Sequence, residues 1–177
     1  MNSLANNYNR KKIVFSHGKG IYLFTNEGEK YIDLAAGIAV NLLGHSNRDL
    51  INALNVQSQK LWHVSNLYEI EEQVTLANKL TNCSFAHKVF FCNSGAEAVE
   101  CTIKAARRYH FSNGKPEKTE IVTFKGSFHG RTLGTIAAAS NSSHLEGFGE
   151  PLKGFVSIER NDINQLKKAC NEKTAAI

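Results

Sequence analysis

No stretch of this sequence is apolar for long enough to cross a membrane, and none reads as the core of a secretory signal. The opening MNSLANNYNRKK is basic and free of acids, but it has no amphipathic apolar face, so a frayed tail is expected there. The 4 cysteines, Cys83, Cys92, Cys101 and Cys170, form no C-x-x-C pair and stand near no histidine at metal spacing. With no H-E-x-x-H among the 7 histidines either, no metal centre is expected. Cys92 and Cys101 read instead as core thiols of a protein kept in a reducing, cytoplasmic compartment. No internal repeat and no low-complexity tract occurs, and no RNA-binding signature or recognition helix is present, so nucleic acid is not an expected partner.

What is present is ordinary globular material. Of 177 residues, 42% are hydrophobic and 21% charged, enough for one domain with a real core. The net charge is +5. Residues 104–131 account for that excess, with Lys104, Arg107, Arg108, Lys115, Lys118, Lys125 and Arg131 against Glu117 and Glu120. Such a bias helps hold an anion, although a solvated face explains most of these side chains equally well.

In chain order, IYLFT (21–25) and KYID (30–33) read as strands joined by a hairpin turn over Asn26–Glu29. LAAGIAVNLLGHSN (34–47) is too rich in Gly and Ala to pack as one helix, and Gly37 and Gly44 suggest a loop passing close to something. Ser46 or Asn47 can cap a helix running to about Leu61, followed by the aromatic loop WHVSNLY (62–68). A further helix opens on Glu69, Glu71 and Glu72 and runs to about Leu80.

The apolar run Lys88–Cys92 predicts a buried strand, and the spacing of Ala98, Val99, Thr102, Ile103 and Ala106 predicts a helix after it. Between them Asn93-Ser94-Gly95-Ala96 makes a tight strand-to-helix turn. Its free N–H groups and the helix dipole can receive a phosphate, with Gly95 allowing close approach and Ser94 adding a hydroxyl. Ser94-x-x-Glu97 is also a capping box, which needs no ligand. Next come a strand at EIVTF (120–124), the glycine-rich KGSFHGRTLG (125–134), a helix over Thr132–Ala139 and a long polar loop to Gly154. A strand at Phe155–Ile158, a helix capped by Asn161 or Asp162, and the start of another strand at KTAAI complete the order. This alternation predicts a parallel sheet with helices on its faces, ending inside a larger domain. A sheet cut in this way is expected to expose an apolar edge and to dissolve poorly.

Loops at the carboxyl ends of parallel strands converge on the ligand. NSGAE and KGSFHGR are two such loops, offering a phosphate cradle, the ring of Phe128 and the cation of Arg131. A flat, phosphorylated aromatic ligand suits them, and Arg131 can grip a carboxylate with two hydrogen bonds. His129 is equally suited to acid–base chemistry and to bracing a glycine-rich turn.

FFCNSGAEAVE (90–100) and GSFHGRTLG (126–134), with YIDLAAGIAVNLLGH (31–45) and LWHVSNLYE (61–69), resemble the class III pyridoxal-phosphate aminotransferases, within the group acting on ornithine-type substrates. The resemblance is collinear from about Gly18 to the last residue. It implies an α/β chain of PLP-transferase fold type I: an N-terminal segment (1–46) belonging to a small domain, then an incomplete large cofactor-binding domain (47–177). It implies pyridoxal 5′-phosphate bound by Ser94, Gly95, Ala96 and Phe128, with Arg131 on the substrate α-carboxylate and Gly37–Val40 and the WHVSNLY loop lining the pocket. It also implies amino transfer between a small amino acid and a 2-oxo acid, and a homodimer when full length. N-acetylornithine is the substrate implied first, ahead of ornithine, succinylornithine and 4-aminobutyrate. The family's Schiff-base lysine and pyridinium-holding acid match nothing in these residues, so the 177-residue chain alone is expected not to turn over. Gly44-His45-Ser46-Asn47-Arg48 departs from the family's Gly-His-x-His-Pro, where a helix cap remains available.

Overall fold

The computed structural model describes residues 3–177. The chain divides into two compact units, one ending at Leu76 and the other running from Ala77 to Ile177.

The first unit is built on an antiparallel meander of β1 (Phe15–Lys19), β2 (Tyr22–Thr25) and β3 (Lys30–Ile32). The sequence pattern marked β2 and β3. It missed β1, whose FSHGK has neither alternation nor an apolar run. The strand forms because the adjacent edge of β2 takes its backbone groups, with Gly18 opposite Leu23 and Lys19 opposite Tyr22. After β3 the backbone enters α1 (Ala36–Ala39), a single turn in which all four φ angles are positive. L-residues disfavour that winding by about 1–2 kcal/mol each. Asp33 offsets part of the cost: Oδ1 accepts the amides of Ala35 (3.2 Å) and Ala36 (2.8 Å). Its Oδ2 lies 2.8 Å from His45 Nε2, and these bonds, the one to His45 foremost, hold the Asp33 carboxyl below its usual range. Asn47 then caps α2 (Arg48–Ser58), its Oδ1 accepting from the amides of Asp49 and Leu50. WHVSNLY is a loop, as its composition suggests, and α3 (Glu71–Asn82) follows.

The second unit holds α4 (Gly95–Ser112) and a parallel sheet of β4 (Glu120–Phe124), β5 (Phe155–Ile158) and β6 (Thr174–Ala176), in the order β5-β4-β6. The connections carry α5 (Leu133–Ala139), the short α6 (Ser142–Leu145) and α7 (Ile163–Ala169), the last capped by Asp162 Oδ1 on the Gln165 amide. Val122, Ile158 and Ala169 form the core, flanked by Phe124, Val156 and Leu166. Arg107 fastens α4 to the strand entrances. Its Nε donates to Thr119 O (3.0 Å) and its Nη2 to Lys153 O (3.3 Å), with the guanidinium over the Phe155 ring.

Two expectations fail here. Lys88–Cys92 is not a strand, Phe90 is 68% exposed, and Cys92 is exposed rather than a core thiol, while Cys101 is only half-buried. An apolar run reports that a segment favours burial, not which edge receives it. Both edges of the central β4 are taken by β5 and β6, and 88–92 pairs with no strand among the described residues. Phe85, Leu34, Ile38 and Leu67 also remain exposed.

Ile158 is 4% exposed at the centre of the core. Ile158→Ala should lower the unfolding free energy of the second unit by about 2–5 kcal/mol in a urea titration followed by circular dichroism.

Candidate functional site: a helix N-terminus and a glycine-rich loop

Ser94 adopts extended backbone angles as the N-cap of α4, and its Oγ accepts the Glu97 amide at 3.2 Å. The Glu97 carboxylate folds back: Oε2 accepts from the Asn93 amide (2.9 Å) and the Ser94 hydroxyl (3.0 Å), and Oε1 from Asn93 Nδ2 (3.3 Å). These bonds, that from the Asn93 side chain foremost, hold the Glu97 carboxyl below its ordinary value. The capping box is therefore formed, in a variant that reaches the residue before the cap. It leaves the amides of Gly95 and Ala96 without an acceptor among the described residues. A Cβ built on Gly95 meets nothing within 4 Å, so the space beside Gly95 is open.

The loop after β4 brings the second part. Ser127 Oγ donates to Phe124 O at 2.6 Å and lies 3.0 Å from His129 Nε2, so the histidine braces the turn. Ser127 and His129 line an open cavity of about 600 Å³, together with Val99 and Ile103 of α4 and Thr123 and Phe124 of β4. Phe128, between them in sequence, is 66% exposed, and the Arg131 guanidinium lies over its ring, 5.6 Å from the centroid.

The two parts touch. Gly130 has φ +127°, and a Cβ there would stand 2.7 Å from Ala96 Cβ and 2.9 Å from Ala96 Cα. Only glycine lets the loop lie directly on the first turn of α4. One turn along, a Cβ on Gly134 would stand 2.6 Å from Glu100 Oε1. Thus two glycines four residues apart seat on two α4 residues four apart, and the turn NSGAE is brought against the loop carrying Phe128 and Arg131. Sequence reasoning named Ser94, Gly95, Ala96, Phe128 and Arg131 but not Glu100 or Thr132. The i, i+4 match of Ala96 and Glu100 with Gly130 and Gly134 was the available signal.

The family model described as class-III aminotransferase matches residues 3–177. The chain belongs to that family. It is 53% identical over 174 residues to the acetylornithine aminotransferase of Agrobacterium fabrum, covering 98% of this chain and 44% of that protein. The N-acetylornithine aminotransferase structure from Stenotrophomonas maltophilia K279a superimposes with a TM-score of 0.73 at 40% identity, covering 92% of this chain and 39% of that one. An ornithine aminotransferase from Toxoplasma gondii, whose active site holds PLP at partial occupancy, shares the fold with a TM-score of 0.88 at 24% identity, covering 94% of this chain and 40% of that one. The chain thus spans less than half the length of these relatives. Among the described residues no helix is long and apolar enough to cross a membrane, and no cluster of His, Cys, Asp and Glu could hold a metal.

Pyridoxal phosphate, the family's cofactor, needs an anion cradle with no side chain in the way and an aromatic face nearby. The two open amides, the unfilled space over Gly95 and the exposed Phe128 ring fit that need.

Gly130→Ala should force the loop off α4 and cost about 1–3 kcal/mol in a urea titration, with faster amide exchange at residues 127–131. Because Glu97 is favoured as the carboxylate in the folded state, its contribution is complete above the ordinary value of 4.5 and is lost as pH falls through the lower folded value. The urea midpoint of wild type should exceed that of Glu97→Gln above pH 4.5, and the gap should close below it.

Proposed function

We propose that this chain carries the phosphate-binding and carboxylate-binding part of an aminotransferase that moves the terminal amino group of N-acetylornithine to 2-oxoglutarate, a step of arginine biosynthesis. The observation that carries this reading is the 53% identity to an acetylornithine aminotransferase along 98% of the chain, and the Gly130–Ala96 contact that brings the NSGAE turn against the KGSFHGR loop supports it.

When bound, pyridoxal phosphate supplies the electron sink for exchanging an amino group between an amino acid and a 2-oxo acid. This chain's residues bind and orient. The amides of Gly95 and Ala96 donate to the phosphate, and the positive end of α4, 18 residues long, adds its dipole. Ser94 joins them by turning its hydroxyl proton away from Glu97. The exposed Phe128 ring would cover the pyridine ring and exclude water there. Arg131, which lies over the Phe128 ring in the free chain, would hold the α-carboxylate through two N–H bonds. The reading includes a homodimer for the full-length enzyme, a cytoplasmic location, and proton transfer by a lysine outside these residues.

The test uses the purified 177-residue chain. It should bind 4′-deoxypyridoxine 5′-phosphate, which has no aldehyde to react with surface lysines, and Phe128→Ala should weaken that binding about tenfold. With pyridoxal phosphate, N-acetylornithine and 2-oxoglutarate it should form no glutamate. Absence of binding would overturn the assignment of the cradle, and turnover abolished by Phe128→Ala would overturn the assignment of the lysine elsewhere.

A further inference from the structure

Glu100 has no part in the chemistry above, yet the loop is arranged around it. It is half-buried on α4 and stands in no ion pair among the described residues. Its Oε1 accepts from the Thr132 hydroxyl, and the backbone of Gly134 lies against its carboxylate with no room for a Cβ.

The protons fix the direction of this contact. The Thr135 hydroxyl donates to Thr132 O at 3.1 Å and accepts from the Thr132 amide at 2.9 Å. Thr132 Oγ1 accepts from the Thr135 amide at 3.1 Å. The Thr132 hydroxyl proton then has two acceptors within reach, Thr135 Oγ1 at 3.0 Å and the Glu100 carboxylate, and a carboxylate, which has no proton of its own, can only accept. Thr135 is completely buried, so the Thr132–Thr135 box is itself rigidly seated. Glu100 therefore grips the loop where it joins α5, one residue after Arg131.

We propose that Glu100 is a positioning residue. Its carboxylate, with the Gly130–Ala96 contact one helical turn away, holds the 126–132 loop at a fixed distance and angle from the N-terminus of α4. A single contact at Ala96 would leave the loop free to pivot; the second, at Glu100, removes that freedom. The consequence for Phe128 and Arg131 rests on the reading of the site as a cofactor cradle, whereas the latch itself does not.

The experiment compares Glu100→Ala, Glu100→Gln and Thr132→Val in the full chain by amide hydrogen exchange without ligand, and by titration with 4′-deoxypyridoxine 5′-phosphate. Glu100→Ala and Thr132→Val should each speed exchange at residues 127–131 about tenfold and leave β4 and β5 unchanged. Glutamine keeps an acceptor oxygen and the same shape, so Glu100→Gln should exchange as wild type does. Ligand binding should weaken about tenfold in Glu100→Ala and recover in Glu100→Gln. Unchanged exchange in both Glu100→Ala and Thr132→Val, or a Glu100→Gln loop as loose as that of Glu100→Ala, would overturn the proposal. If Glu100→Ala unfolds the sheet, Thr132→Val decides, and wild-type exchange in that variant overturns it. If wild type binds no ligand, the cradle reading fails while the exchange data still judge the latch.

Discussion

The seating of Gly130 on Ala96 determines what the second unit can do. A helix N-terminus alone is a common feature with a weak pull on anions. A loop bearing an aromatic ring and a cation is equally common. Their value lies in a fixed mutual placement, and a backbone-to-helix distance that excludes even a methyl group sets that placement. Every other feature of the site is referred to this contact: the open amides of Gly95 and Ala96 on one side of it, the ring of Phe128 and the guanidinium of Arg131 on the other.

The capping box leaves open the amides that a phosphate cradle would need, so the two readings of these residues are compatible. Ser94 and Glu97 satisfy the third helical amide and the amide before the cap, and the first two helical amides are left open. A helix start needs its cap for stability and its remaining amides for binding, and one turn has enough donors for both. The carboxylate of Glu97 beside the cradle carries a repulsive charge toward a phosphate. Its three bonds to Asn93 and Ser94 direct that charge toward the turn.

Strain and support recur in the first unit. The left-handed turn at Ala36–Ala39 is held at its start by Asp33, whose second oxygen is engaged by His45. Gly18 lies against the His45 ring so closely that a Cβ would stand 2.5 Å from it. A local backbone conformation that is unfavourable by itself is thus fixed by a short chain of polar contacts from the meander. The side chains of Ile38 and Val40 that it displays stay exposed.

Sequence alone determined the features whose causes are local. Asn47, Ser94 and Asp162 cap helices because their side-chain oxygens reach amides two or three residues on. EIVTF and FVSI are each a short apolar run between breaks, and the helix-bearing connection between them supplies the crossover that their parallel pairing needs. The two glycine-bearing loops stood out by spacing and residue type, and the family by the resemblance of four ordered motifs. Tertiary structure decided what depends on a distant partner. KVFFC has the pattern of a strand but pairs with none among the described residues, the central β4 being flanked by β5 and β6. FSHGK lacks the pattern but has the edge of β2. Glu100 looks like one more solvated acid until Gly134 and Thr132, more than thirty residues away, come to lie against it. Pairing and close approach are properties of two surfaces at once, and no local stretch of chain encodes both.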